Sequence, residues 1–85
     1  MASRYSVFLT TSVEAQLRNA PPQLQGYVAG IIAALRIDPT AASVFLDVIE
    51  GERYRTIIFL DGRGFLDYQV FEDQRLIVLI DLTWV

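Results

Sequence analysis

The sequence has 85 residues, enough for one small domain over residues 1–85 but not for two independent cores without disulfides or metals. It contains no Cys and no His, and its seven positive charges are all Arg. This excludes disulfides, thiolate zinc sites, the usual serine triad and a lysine Schiff base, and we expect neither a metal site nor a cofactor. The net charge of −3 disfavours a free-standing nucleic-acid-binding protein, which usually carries a basic face.

The first predicted elements are a strand and a short helix. Residues 4–10 alternate, with Tyr5, Val7 and Leu9 on one side, and this period of two predicts a strand. Thr11 stands three residues before Glu14, which is the spacing of a capping box. We therefore predict a short helix over residues 12–19.

A second helix is predicted to follow at once. Pro22 suits the first turn of a helix, and Asp38-Pro39 ends it because the residue before a proline avoids helical backbone angles. Two helices joined by so short a turn form an αα-hairpin. The large apolar residues recur at intervals of three and one, which gives the second helix a single apolar face: Leu24, Tyr27, Val28, Ile31, Ile32 and Leu35.

Three further strands are predicted in the second half of the chain. They cover residues 54–60, 65–71 and 75–84, with turns at 61–64 and 72–74, and form an antiparallel meander. Residues 41–52 fit either an extended connection or a short added strand. The predicted fold is α+β in the order β-α-α-β-β-β, with an antiparallel meander, an N-terminal strand in the same sheet and the αα-hairpin on one face.

The last predicted strand is apolar on both of its faces. One face can pack on the helices, and the other then needs cover from another polypeptide. Residues 46–85 hold eight of the ten acidic residues, which favours a basic partner over RNA. The residues predicted to share one face are Leu76, Val78, Ile80, Leu82 and Trp84, and those on the other are Ile77, Leu79 and Val85.

The apolar share of 53% is more than so small a domain can bury, so we expect a second copy or another chain to cover the excess. The longest apolar run, Leu76 to Ile80, is far too short to span a membrane. The first five residues lack the apolar core of a signal peptide. We therefore expect a cytoplasmic protein that does not enter a membrane.

This order of elements resembles the RelE/ParE superfamily of bacterial toxins from type II toxin–antitoxin pairs, over nearly the whole chain. The resemblance implies a RelE-like fold. It also implies one of two activities: cleavage of mRNA on the ribosome, as in RelE, or inhibition of gyrase, as in ParE. The matching segments are Tyr5-Ser6-Val7-Phe8-Leu9, Glu14 to Arg18, Pro22, Leu35 to Pro39, Arg53 to Ile57, Asp67 to Val70 and Leu76 to Ile80.

The resemblance also implies a set of catalytic candidates. Arg53 and Arg55 stand at basic positions of the family's second strand, where they would clamp a phosphate; Arg63 would assist, and Tyr68 is the candidate proton donor. The family's third-strand Arg is replaced by Gly64-Phe65-Leu66, and its terminal basic cluster has no counterpart at Thr83-Trp84-Val85. A second register makes Arg55 the third-strand Arg, and both registers stay open.

Simpler roles compete with each catalytic one. Arg53 and Arg55 fit surface ion pairs with Glu50, Glu52 or Asp67. Tyr68 fits a core position, and Asp67 and Asp81 fit the wet face of a sheet. We therefore expect a partner-binding or dimeric protein with weak or no ribonuclease activity, whose partner is a second copy or an antitoxin-like polypeptide. The alternatives are a ribosome-dependent mRNA endoribonuclease, which the acidic chain disfavours, and a ParE-like gyrase inhibitor.

Overall fold

The computed structural model describes residues 4–39, 47–51 and 53–85, and in them two helices precede most of a sheet. The predicted connection over residues 41–46, and Glu52, lie outside the described residues. Short 3₁₀ turns, Leu60–Gly62 and Glu72–Gln74, join the last three strands. The elements are β1 (Ser6–Leu9), α1 (Thr11–Arg18), α2 (Pro22–Ile37), β2 (Asp47–Glu50), β3 (Arg55–Phe59), β4 (Gly64–Phe71) and β5 (Leu76–Trp84).

The sheet has the strand order β1-β5-β4-β3-β2. Strands β3 to β5 form the predicted antiparallel meander, and the ambiguous segment before β3 adds the strand β2 to it. β1 joins the sheet beside β5, but parallel to it, so the sheet is mixed rather than antiparallel. The predicted α+β fold is confirmed. The direction of β1 could not be predicted, because alternation identifies a strand without giving its orientation.

The start of α1 differs from the prediction by one residue. Thr10, not Thr11, is the N-cap, and its hydroxyl oxygen accepts a 3.4 Å hydrogen bond from the backbone N–H of Val13. The capping box of Thr11 and Glu14 is therefore wrong. The Thr10 hydroxyl also donates to the carbonyl of Ile80 at 3.2 Å, which ties the helix start to β5. This tertiary hydrogen bond explains why Thr10, and not Thr11, is the N-cap of α1.

The helices cover one face of the sheet and build the core there. The apolar stripe of α2 contributes Leu24, Val28, Ile31 and Leu35, as its spacing predicted. Tyr27 is the exception: it is half-exposed, and its ring stacks on that of Phe59 with centroids 6.0 Å apart. The sheet contributes Ile57, Phe59, Leu66, Tyr68, Ile77, Leu79 and Leu82 to the same cluster.

A β-bulge in β5 changes which of its residues face the helices. Asp81 lies opposite Asp67, but the next pair along β4 is Tyr68 with Leu79, so Ile80 is an extra residue. The bulge moves Leu82 onto the core face with Ile77 and Leu79. The prediction that Leu82 and Trp84 share a face with Leu76 is wrong, because an inserted residue reverses the alternation beyond it.

Among the described residues, no helix is both long enough and apolar enough to cross a bilayer.

Candidate functional site

The sheet face turned away from the helices, which we call the open face, carries a broad apolar surface. Its half-buried members are Ile58, Leu76, Val78 and Ile80. No element in the described part of the chain covers this face, and exposed apolar surface of this kind marks interaction sites. The most exposed members are Phe8 (60%), Ile49 (55%), Phe65 (39%) and Phe71 (37%).

The residues of the open face come from all five strands. Their side chains point the same way because directly paired residues share a face: Phe8 pairs with Val78, Ile58 with Phe65, and Phe71 with Leu76. The apolar surface therefore runs from one edge of the sheet to the other.

Three of the four predicted catalytic candidates meet at a second feature, which we call the end cleft. This cleft of about 230 Å³ lies where β3 begins and β4 ends. Its lining includes Arg53, Arg55, Tyr68 and Glu72. Arg63 does not reach the cleft: it stands at the opposite end of β4, where its Nε donates to the carbonyl of Leu60 at 3.3 Å.

Tyr68 forms the buried wall of the end cleft. Its side chain is fully buried, and its hydroxyl proton has no acceptor among the residues that the structure describes. Burial raises the pKa of Tyr68, and the positive charge of Arg55, its direct neighbour across the strands, acts against that rise. Because a guanidinium only donates, Arg55 cannot accept the phenolic proton. Among the described residues, none accepts that proton in the free protein.

Arg55 already has an acidic partner. Its Nη2 lies 3.4 Å from Oε1 of Glu50, the residue opposite it on β2. The Glu50 side chain is 74% exposed, so this is a surface ion pair of small energy. The sequence had offered this pairing as the simpler alternative to a phosphate clamp, and the structure contains it.

Glu72 also lines the end cleft, and it holds a second tyrosine, Tyr5. The Tyr5 hydroxyl donates a 2.6 Å hydrogen bond to Oε2 of Glu72, and this bond is the main cause that raises the pKa of Tyr5. The Arg75 guanidinium lies 5.2 Å from the centre of the Tyr5 ring. This contact could not be predicted, because it depends on the pairing of β1 with β5.

Two carboxylates stand near the middle of the open face. Asp67 and Asp81 are directly opposite each other on β4 and β5, and both are partly buried. The hydroxyl of Thr56 donates a 2.6 Å hydrogen bond to Oδ1 of Asp67. Within residues 4–39, 47–51 and 53–85, no arginine forms an ion pair with either carboxylate.

The described residues contain no group of three or more Asp and Glu side chains placed to hold a metal ion.

Comparison with known proteins identifies the fold. No family model matches the chain, and no curated protein matches it. Among solved structures, the crystal structure of the toxin–antitoxin complex RelBE2 from Mycobacterium tuberculosis matches with a TM-score of 0.67 and 15% sequence identity. The match covers 100% of this chain and 95% of that chain. The chain therefore has the RelE-like fold that its order of elements suggested.

Proposed function

We propose that this RelE-like protein acts by binding another polypeptide, of the antitoxin-like kind, across its open face, and that its ribonuclease activity is weak or absent. The observation that carries the proposal is the row of exposed apolar side chains that includes Phe8, Ile49 and Phe65. The similar structure is itself a toxin–antitoxin complex, which supports a partner of this type.

The energy of covering the open face supports a stable contact. Full burial of one Phe or Ile side chain is worth about 1.5–3 kcal/mol, so covering a half-exposed one contributes about 1 kcal/mol. The open face offers several such side chains, at exposures between 37% and 60%. Interfaces usually depend on a few buried aromatic side chains, and Phe8, Phe65 and Phe71 are suited to that role.

The charges of the molecule support binding over RNA cleavage. A ribonuclease of this kind needs uncompensated cations to hold the scissile phosphate. Here Glu50 pairs with Arg55, Glu72 lines the same cleft, and the whole chain carries a net charge of −3. A polynucleotide would therefore meet acidic groups beside the two arginines of the cleft.

Co-expression tests the proposal directly. The chain is produced together with the polypeptide encoded by the adjoining reading frame, and the mass of the purified product is measured by size-exclusion chromatography with light scattering. We expect a stoichiometric complex from the unaltered chain and loss of that complex with Phe8→Ser/Phe65→Ser.

Ile37→Ser is the matched control, because Ile37 is 66% exposed but lies at the end of α2, away from the open face. An unaltered chain that stays uncombined, or a complex that Ile37→Ser disrupts as strongly as the double variant, would contradict the proposal.

Ribosome-dependent cleavage of mRNA is the second candidate function. One observation favours it: Arg53, Arg55 and Tyr68 line a single cleft, with the cations and the proton donor that RNA cleavage requires. Its test is given among the predictions below.

A further inference from the structure

The Asp67–Asp81 pair is an unusual feature for the middle of an apolar surface. Like charges directly opposite each other on neighbouring strands destabilise a sheet. The Thr56 hydroxyl stabilises one carboxylate of the pair by a 2.6 Å hydrogen bond, and among the described residues no cation compensates either of them. The apolar neighbours of the pair include Ile58, Phe65, Val78 and Ile80.

Covering the open face would remove water from both carboxylates. An ionised carboxylate that loses water without a cation or hydrogen-bond donors costs more free energy than one covered Phe or Ile side chain contributes. A purely apolar partner gains free energy by covering the apolar side chains. It would lose much of that gain by removing water from Asp67 and Asp81. A partner that brings a cation to Asp67 and Asp81 keeps the apolar gain and compensates the charges.

We propose that Asp67 and Asp81 select the partner: the open face binds an amphipathic helix that presents an Arg or Lys from within its apolar stripe. This inference rests on the proposed function and adds the chemistry of the partner to it. The apolar residues of the helix cover Phe8 and Phe65, and the cation lies between the two carboxylates. Such a charge pair inside an interface fixes the register of the helix and rejects partners with the wrong charge.

The same pair disfavours a second copy of this chain as the occupant. Two copies stacked through their open faces would each bring an uncompensated Asp67–Asp81 pair to the contact. The one arginine within the described strands is Arg55, and it lies on the opposite face, paired with Glu50 and Tyr68 across the strands. The contact would therefore contain four carboxylates and no arginine from the described strands to compensate them.

Synthetic peptides test the inference. The probe is a helix of about 15 residues, an ordinary helix length, with Leu on one face and Gln on the other. Three versions carry Arg, Leu or Glu at the centre of the Leu face, and their affinities are measured by fluorescence anisotropy. We expect the Arg version to bind at least about tenfold more tightly than either of the others, as a charge-assisted contact in a partly desolvated site allows.

Matched variants locate the effect. Asp67→Asn/Asp81→Asn should abolish the preference for Arg, so that the Leu version binds at least as well. Asp61→Asn/Asp73→Asn removes the same two charges from exposed turns and should leave the preference intact. Asn is well tolerated at Asp61, where φ is 55°.

The outcomes separate this inference from the proposed function. If the three peptides bind equally and Phe8→Ser/Phe65→Ser abolishes binding, the open face is a binding surface and the selection by charge is wrong. If the turn variant loses the preference as fully as the face variant, the effect is a general one of net charge and the inference is overturned. Failure of all three peptides to bind would also overturn it, while the co-expression experiment decides the proposed function separately.

Discussion

Arg55 and Tyr68 are direct neighbours across β3 and β4, and together they place a guanidinium beside a buried phenol whose proton has no acceptor among the described residues. The contrast with Tyr5 is clear, since the Tyr5 phenol donates to Glu72 at 2.6 Å. The two tyrosines thus stand in opposite hydrogen-bonding states. The Arg55–Tyr68 corner is suited to a ligand that supplies an acceptor, and it stabilises the free protein poorly.

The two tyrosines should respond in opposite directions to removal of their hydroxyls. A buried hydroxyl without a partner costs about 1–3 kcal/mol, so Tyr68→Phe should leave the free energy of unfolding unchanged or raise it by up to about 2 kcal/mol. Tyr5→Phe should lower it, because the bond to Glu72 is lost. Urea denaturation of both variants checks this, and a clear loss of stability with Tyr68→Phe would contradict the unsatisfied state of its hydroxyl.

The free energy of unfolding should also fall at alkaline pH because of the hydroxyls of Tyr5 and Tyr68. The folded state raises the pKa of both Tyr5 and Tyr68 above the ordinary value of 10.0. The folded chain then holds these protons more tightly than the unfolded chain does. These two groups therefore leave stability unchanged below about pH 10 and lower it as the pH rises through the folded pKa values.

Thermal melting from about pH 8 to about pH 11 measures this alkaline decline. Tyr5→Phe/Tyr68→Phe should show a flatter decline than the unaltered chain. Identical pH profiles for the two proteins would show that other groups cause the loss.

Gly64 should not tolerate even one added methyl group. A Cβ at this position would clash with the Phe59 ring, which is buried and stacked against Tyr27. Gly64→Ala should therefore destabilise the fold by about 1–3 kcal/mol, the usual cost of overpacking a core.

Gly30→Ala is the matched substitution. It lies inside α2 with nothing within 4 Å of the added atom, and it should stabilise the fold by about 0.5–1 kcal/mol. Chemical denaturation measures both variants, and equal effects of the two substitutions would contradict the tight contact between Phe59 and Gly64.

The ribonuclease candidate makes a prediction about two arginines. We expect the purified chain to leave mRNA on translating ribosomes intact or to cleave it weakly. If cleavage is measured, Arg55→Ala should reduce its rate by about 100-fold or more, as loss of a cation at a phosphate does. Arg63→Ala should change it little, because Arg63 lies outside the end cleft.

Primer extension on a ribosome-bound message reads the positions and the rate of cleavage. Vigorous cleavage that survives Arg55→Ala would remove the end cleft as the active site. Vigorous cleavage that depends on Arg55 would favour the ribonuclease over the binding protein.

The elements that the sequence predicted well are those whose signals are local. The stripe of α2 and its ends at Pro22 and Asp38-Pro39 follow from helical spacing and proline geometry alone. The bulge at Ile80 could not be predicted, because β5 is apolar on both faces and alternation carries no information there. The α1 cap depended on a bond from Thr10 to β5, which is a tertiary contact.

The candidate site also contains contacts that could be predicted from the sequence and contacts that could not. Arg53 and Arg55 are close in sequence, and their neighbour Tyr68 follows from the meander, so their meeting in one cleft could be expected. Tyr5 and Glu72 could not be found, since a contact 67 residues apart requires the pairing of β1 with β5. The wet face could be predicted for Asp67 and Asp81, but their direct pairing could not, because it depends on the bulge in β5.

The central claim is that the open face binds a polypeptide, and isoleucine methyl NMR tests it most directly. The chain is labelled at its isoleucine δ-methyl groups, and spectra are compared with and without the polypeptide from the adjoining reading frame. We predict that the largest shifts occur at Ile49, Ile58 and Ile80, which lie on the open face, while Ile37 on the helical side is unaffected. Shifts concentrated at Ile37, or a spectrum that does not change, would contradict the claim.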